Sequence, residues 1–171
     1  MNYFHFYDLP VKFNLNEQEL KAKYFNLLKT NHPDFFVNDP KKYEESLISS
    51  SLNNEAYKCL FNFYSMANHI LSISGWTLDD KLPSHFLMEM MDINEALDNL
   101  QQVPDSNKLK SLGVEILEFD TALEKELKVL AEISDGCNSL DEMPLKKVKE
   151  NLLKHKYILR LKETLANIAA L

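Results

Sequence analysis

The order of apolar and polar residues predicts helices separated by short polar interruptions. In residues 16–31, Leu20, Tyr24, Leu27 and Leu28 recur at helical spacing. Because the residue before a proline is disfavoured in helical geometry, Pro33 predicts that this helix ends near Asn31. A short helical turn is predicted near residues 3–7. A second long helix is predicted over residues 41–74, ending at Gly75, with one side formed by Leu52, Ala56, Cys59, Leu60, Phe63, Ala67 and Ile70.

The segment GWTLDDKLPS, residues 75–84, interrupts the helical pattern with Gly, Pro and two aspartates, which favours a linker. Three further helices are predicted over residues 85–102, 106–134 and 142–170, separated by Pro104 and Gly136. Connections this short make neighbouring helices antiparallel. We therefore predict an all-α fold, with an N-terminal helical hairpin domain over 1–75, a linker over 76–84 and an antiparallel three-helix bundle over 85–171.

The first helix of this bundle has two apolar sides. One side carries Phe86, Met90, Ile93, Leu97 and Leu100, and the opposite flank carries Leu87, Met88 and Met91 beside Asp92, Glu95 and Asn99. One stripe is enough to pack a bundle. The second flank either packs against the N-terminal half or forms a Met-rich protein-binding surface with an acidic rim. The pattern leaves both interpretations open.

The last helix carries a stripe of Leu145, Val148, Leu152 and Leu159, and Tyr157 lies well off it. Exposed aromatic residues are common without any function. Tyrosine is also enriched among the residues that dominate binding at interfaces, so Tyr157 is a candidate anchor beside the methionines.

Composition excludes several classes of function. The chain has 171 residues, 45% of them hydrophobic, and a net charge of −7, which argues against a general nucleic-acid binder. Its three glycines form no phosphate-binding loop, and its two cysteines and five histidines show no metal-ligand spacing, so no cofactor is expected. A signal peptide and an apolar run of transmembrane length are both missing, so we expect a cytoplasmic protein with no membrane partner.

The tripeptide His32-Pro33-Asp34 has a catalytic, a metal-binding, a structural and a binding interpretation. No nucleophile motif accompanies it, so we do not expect an enzyme. Its structural interpretation is a helix-ending turn, and as a bare tripeptide it carries little weight because such tripeptides occur by chance. From Lys21 to Asn31, however, the chain has three cations (Lys21, Lys23 and Lys29) and no acid, although it is acidic overall. This basic strip suits docking onto an acidic protein surface.

The stretch EQELKAKYFNLLKTNHPDFF, followed by a helix that contains NEAYKCL, resembles a J domain. The opening MNYFHFYDLPVKFNLN, the segment FYSMANHILSISG and the segment HFLMEMMDINEALD are similar to the HscB family of J-domain co-chaperones in iron–sulfur cluster assembly. The resemblance covers essentially the whole chain.

The resemblance implies an adaptor without a cofactor. His32, Pro33 and Asp34 would contact a heat-shock-70-type ATPase chaperone and stimulate ATP hydrolysis, and Lys21, Lys23 and Lys29 would form the basic helix face. The bundle would bind the cluster scaffold protein, and the chain would be a monomer. The positions that match the family's scaffold-binding surface are Leu87, Met88, Met91, Asp92, Glu95, Asn99 and Tyr157. The alternative is a J-domain protein with another client, whose bundle is a dimerisation or structural module.

Overall fold

The computed structural model describes residues 1–78, 81–136 and 142–170, and the regular secondary structure of these residues is helical. The predicted all-α class is therefore confirmed. The chain divides into two compact units, Met1–Trp76 and Thr77–Leu171.

The N-terminal unit is built around a helical hairpin. It contains α1 (Tyr3–Phe6), α2 (Glu17–Thr30), a 3₁₀ turn (Pro33–Phe36), α3 (Pro40–Phe61) and α4 (Phe63–Ile73). The helices α2 and α3 pack against each other, and α1 and α4 both contact α3. The core consists of Phe4, Tyr7, Leu9, Phe13, Leu20, Ala56, Leu60, Met66, Ala67, Ile70 and Leu71.

The helix α2 begins and ends where the sequence predicts. The Asn16 side chain accepts hydrogen bonds from the backbone N–H groups of Gln18 and Glu19 at 3.0 and 3.3 Å, which satisfies two of the amides at the helix start. The helix ends at Thr30, and Asn31 leaves helical geometry with φ −119° and ψ 26°. The following proline therefore acts as the predicted stop.

The prediction of one helix over 41–74 is wrong, because the chain breaks at Asn62. Asn62 is extended, with φ −91° and ψ 118°, and its side-chain oxygen accepts a hydrogen bond from the Ser65 N–H at 2.9 Å. An asparagine that caps the next turn offers the backbone an alternative to continuing the helix. Two helices, α3 and α4, therefore replace the single predicted one.

Gly75 ends α4 in the left-handed region, with φ 82°. The Gly75 and Trp76 N–H groups donate to the carbonyls of Ser72 and Leu71 at 3.1 and 2.9 Å, which is the pattern of a Schellman cap. A β-carbon would strain this backbone conformation, so the predicted stop at Gly75 has a local cause.

A polar network joins α2 and α3 to Tyr7, the residue that follows α1. The Tyr7 hydroxyl donates to the Asn53 side chain at 2.7 Å, and the Asn53 amide donates to the Tyr24 carbonyl at 3.2 Å. Burial, followed by the nearby phenols of Tyr24 and Tyr57, raises the pKa of Tyr7 far above its usual value. Asn53 is 2% exposed, so its partners fix the register of α2 against α3.

The C-terminal unit is a helical bundle. It contains α5 (Ser84–Glu89), α6 (Met91–Gln102), α7 (Ser106–Gly136) and α8 (Glu142–Ala169). The helices α7 and α8 pack along most of their length, and α6 packs against both. Pro144 lies in the first turn of α8 as predicted, whereas Asp141, its expected cap, lies outside the described residues. The main core cluster is Phe86, Met90, Ile93, Leu97, Leu100, Leu112, Ile116, Leu123, Ile158, Leu161 and Ile168.

Two details of the bundle differ from the prediction. The helix predicted over 85–102 is interrupted at Met90, which has φ −83° and ψ −6° and is fully buried between α5 and α6. Leu159, predicted to be in the core, is 43% exposed, and Ile158 and Leu161 are buried instead. The helix α8 contacts α6 as well as α7, and Ile158 and Leu161 belong to the core cluster that contains buried side chains of both helices.

Candidate protein-binding sites

The His32-Pro33-Asp34 motif forms an exposed turn at the tip of the α2–α3 hairpin. His32 caps the 3₁₀ turn from an extended conformation, and Pro33 takes its first position. Both His32 and Asp34 are exposed, and Pro33 is half-buried. The motif therefore presents an imidazole and a carboxylate on a short, backbone-bonded turn.

The His32 ring makes its close contacts within the motif. Its Nδ1 lies 3.3 Å from the Asp34 backbone N and 3.5 Å from Asp34 Oδ2. The first contact needs an unprotonated Nδ1 that accepts, and the second needs a protonated Nδ1 that donates. Asp34 therefore holds the ring through Nδ1 in both protonation states, and neither contact uses the Nε2 atom. The Phe35 ring packs edge-on to His32 at 5.9 Å between centroids and is 67% exposed.

Two serines of α3 attach the start of this turn to the hairpin. The Asn31 side-chain amide donates to Ser49 Oγ at 3.3 Å, and Ser50 Oγ donates to the Asn31 carbonyl at 3.4 Å. Sequence reasoning did not identify these serines, because their partner lies 18 and 19 residues earlier in the chain. They set the position of the turn relative to α3.

The three lysines of α2 do not share one face. At about 100° per residue, Lys21 and Lys29 lie within about 80° of each other, whereas Lys23 lies about 160° from Lys21. Both Lys21 and Lys29 are exposed. Lys23 is half-buried, and its ammonium donates to the Asp8 carbonyl at 2.8 Å. The predicted basic strip therefore contains two lysines, Lys21 and Lys29, because the Lys23 ammonium is bound to the segment before α2.

Lys21 lies beside an exposed aromatic surface. Its Nζ is 5.2 Å from the centre of the Phe61 ring, within the range of a cation–π contact. It is also 3.9 Å from Glu17 one turn earlier, a weak exposed pair. Phe25 is 54% exposed and lies one turn after Lys21. A partner that docks on this face thus meets cations and aromatic rings together.

In the C-terminal unit, the second flank of the predicted helix is exposed. Leu87, Met88 and Met91 are 42%, 71% and 65% exposed. We call these three side chains the Met patch. The remaining predicted positions on α6 are also exposed: Asp92, Glu95 and Asn99. The other flank of the helix supplies the buried core side chains, so only one of the two apolar sides packs the bundle.

Tyr157 is connected to the helices that carry the Met patch. Its hydroxyl accepts a hydrogen bond from the Asn94 amide at 2.8 Å, and its ring packs edge-on to Phe86 at 5.7 Å. The same Asn94 amide also donates to the Met90 carbonyl at the break between α5 and α6. Asn94 therefore connects the break between α5 and α6 to α8. Sequence reasoning missed it, because only the fold shows that it faces Tyr157.

A second polar cluster lies between α7 and α8. Asp120 accepts a hydrogen bond from Lys162, and its Oδ1 lies 3.4 Å from His155 Nε2. Burial lowers the pKa of His155, and this effect outweighs the attraction of Asp120. The ring is therefore neutral in the folded chain at neutral pH.

The described residues contain neither a metal-ligand cluster nor a membrane-spanning helix. Within residues 1–78, 81–136 and 142–170, no three side chains of His, Cys, Asp or Glu are grouped as metal ligands. Over the same residues, none of the helices is both long enough and apolar enough to cross a bilayer.

Comparison with known proteins supports the resemblance seen in the sequence. Residues 82–166 match a family model described as the HSCB C-terminal oligomerisation domain. The co-chaperone protein HscB of Buchnera aphidicola is 33% identical over 107 residues, and this match spans 60% of the chain but only 62% of that relative. The co-chaperone protein HscB of Proteus mirabilis is 28% identical over 173 residues, which cover 98% of this chain and 95% of the relative.

Solved structures show the same fold. The crystal structure of human co-chaperone protein HscB aligns with a TM-score of 0.75 at 24% identity, over 97% of this chain and 81% of that one. The chaperone HscB from Vibrio cholerae aligns with a TM-score of 0.64 at 24% identity, over 99% of this chain and 98% of that one. An N-terminal helical hairpin with an HPD turn and a C-terminal helical bundle define a J-domain co-chaperone. The chain belongs to the HscB family of these co-chaperones.

Proposed function

We propose that this chain binds the scaffold protein on which iron–sulfur clusters are built and delivers it to a heat-shock-70-type chaperone, whose ATPase it stimulates. The observation that carries the proposal is the exposure of two surfaces on separate units. The HPD turn is exposed in the N-terminal unit, and the Met patch is exposed in the C-terminal unit.

The chaperone contact is assigned to His32, Pro33 and Asp34, together with Lys21 and Lys29 on the exposed part of α2. An exposed imidazole and carboxylate on a fixed turn give a directional polar contact, and the two lysines give charge attraction to an acidic surface. This contact favours the chaperone conformation that hydrolyses ATP, because a ligand shifts an equilibrium towards the state that it binds better. In this proposal the chaperone performs the hydrolysis and the chain has no active site of its own.

The scaffold contact is assigned to the Met patch with Tyr157, and to Asp92, Glu95 and Asn99 at its edge. Methionine side chains adapt to the shape of a partner, and the acidic edge selects a partner with basic residues. When one chain binds both the scaffold and the chaperone, it raises the effective concentration of each partner near the other. Synergy between scaffold and co-chaperone is therefore expected in the chaperone's ATP turnover.

The test is steady-state ATP turnover by the organism's heat-shock-70-type chaperones, with the chain added, in the presence and absence of the scaffold. His32→Gln should abolish stimulation, whereas the control His5→Gln changes an exposed histidine of α1 and should keep it. A wild-type chain that stimulates none of these chaperones would refute the chaperone half of the proposal.

The scaffold half is tested with Met88→Ala/Met91→Ala. Complete burial of a methionine is favourable by about 1.5–3 kcal/mol, so the double variant should weaken scaffold binding by roughly tenfold or more. The control Val129→Ala/Ile133→Ala removes two apolar side chains of α7 that are 55% and 50% exposed, and it should bind as the wild type does. Equal affinities of all three proteins would exclude the Met patch as the binding surface.

The second candidate function of the bundle is self-association, and the oligomerisation named in the description of the matching family favours it. We propose instead that the chain acts as a monomer, with the Met patch free for the scaffold. Light scattering of the purified chain over a range of concentrations distinguishes a monomer from a self-associated chain. A stable dimer that is lost in Met88→Ala/Met91→Ala would assign the patch to a second copy.

A further inference from the structure

A groove runs along the exposed side of α8, next to Leu82 in the segment that precedes α5. It has a volume of about 560 Å³, and its apolar lining includes Leu82, Leu153 and the Tyr157 ring. Lys156 and Arg160 line the same groove, and Leu159, which is 43% exposed, adds to its apolar surface. Apolar side chains and two cations therefore meet in one concave surface of the C-terminal unit.

The two cations lack carboxylate partners within the described residues. Neither Lys156 nor Arg160 has an Asp or Glu oxygen within 4.0 Å there, although Glu163 also lines the groove. Lys154 of the same helix differs, because it pairs with Glu150 at 2.8 Å and lies 5.9 Å from the Phe86 ring. In a chain with a net charge of −7, two exposed cations beside an apolar groove favour an acidic ligand.

The groove is continuous with the proposed scaffold surface through Tyr157. The Tyr157 ring lines the groove, and its hydroxyl and ring contact Asn94 and Phe86, on the two helices that carry the Met patch. The edge of this joined surface is acidic on α6, at Asp92 and Glu95, and basic on α8. A partner that covers both parts meets opposite charges at its two ends.

We propose that the α8 groove binds a segment of the scaffold protein in which apolar and acidic side chains are adjacent. This inference rests on the proposed function and deepens it. Acidic residues of the segment lie at Lys156 and Arg160, while basic residues of the scaffold lie at Asp92 and Glu95. The opposite charges make the reversed orientation of the scaffold unfavourable, because like charges would then be juxtaposed.

The experiment measures the affinity of the purified cluster scaffold protein for the full chain by titration calorimetry, at low and at high salt. The variant is Lys156→Glu/Arg160→Glu. The control is Lys146→Glu/Lys147→Glu, which changes the charge of the same helix by the same amount at two exposed positions away from the groove. Thermal unfolding of both variants checks that the bundle remains folded.

We expect the groove variant to weaken scaffold binding by about tenfold or more at low salt, with a smaller difference at high salt because exposed charges are screened. The control should stay within about twofold of the wild type. If both variants weaken binding equally, the effect is one of net charge and the groove is not the site. Unchanged affinity in the groove variant overturns the inference and leaves the proposed function intact. A wild-type chain that does not bind the scaffold refutes both.

Discussion

Asn94 provides the sharpest test of how the C-terminal unit forms its binding surface. Its side-chain amide donates to the Tyr157 hydroxyl at 2.8 Å, although the two residues are 63 positions apart. A neutral hydrogen bond of this kind contributes a net of about 0.5–1.5 kcal/mol to the free energy of unfolding. Tyr157 is half-buried, so water can partly replace a lost partner. We therefore expect a coupling energy of about 0.5–1 kcal/mol between the two side chains.

The measurement is a double-mutant cycle of Asn94→Ala and Tyr157→Phe, followed by urea unfolding with circular dichroism. The phenylalanine keeps the edge-on packing against Phe86 and removes only the hydroxyl. With a urea slope of about 1–3 kcal/mol per molar, the coupling corresponds to roughly 0.2–1 M in the unfolding midpoint, and the four proteins must show equal slopes for the comparison to hold.

A second cycle, with Asn99→Ala in place of Asn94→Ala, is the matched control. Asn99 is exposed on the same helix, and no hydrogen bond joins its side chain to Tyr157. That cycle should give a coupling energy near zero. Additive effects in the Asn94 cycle would show that the contact contributes nothing in solution, and the role of Asn94 in positioning Tyr157 would then be wrong.

Three further predictions concern stability and the chaperone face. Because burial lowers the pKa of His155, the unfolded chain binds a proton below about pH 6.5 that the folded chain does not, so the free energy of unfolding should fall as the pH drops from 7 towards 5. His155→Gln should reduce this slope, and an unchanged slope in urea unfolding across that range would contradict the assignment. Asn53→Ala should destabilise the N-terminal unit by about 2–4 kcal/mol in the same assay, since it removes two hydrogen bonds of a buried side chain and leaves a cavity. The exposed Asn54→Ala should cost about 1 kcal/mol or less. Lys23→Met should lower the free energy of unfolding by about 0.5–1.5 kcal/mol and leave ATPase stimulation unchanged. Lys21→Ala should lower stimulation only. Loss of stimulation in Lys23→Met would show that all three lysines contribute to the chaperone contact.

The helix ends of the N-terminal unit show how far local sequence determines structure. Asn16, Pro33 and Gly75 start or stop helices through contacts with neighbours in the chain, so their effects follow from the sequence alone. The HPD turn is exposed for the same reason, since it lies between two such helices. Helical spacing already separates Lys23 from Lys21, whereas only the fold shows that the Lys23 ammonium donates to the Asp8 carbonyl.

For the C-terminal unit, the apolar pattern determined the helices and the identity of the Met patch. All five core positions of the first predicted helix are buried, and the three patch positions are exposed. The pattern could not determine whether the second flank would be covered, because an exposed patch and a helix contact have the same periodicity. The packing of α6 on α7 and α8 buries one apolar side of the helix and leaves the Met patch exposed.

The sequence by itself therefore determined the all-α class, most helix ends and the two apolar sides of the first bundle helix, because these depend on spacing and on neighbouring residues. Tertiary structure alone decided the break at Met90, the exposure of Leu159 and the pairing of Asn94 with Tyr157. It also created the α8 groove with its two cations. These features depend on contacts between residues far apart in the chain, and the energy of such contacts is not encoded in any local pattern.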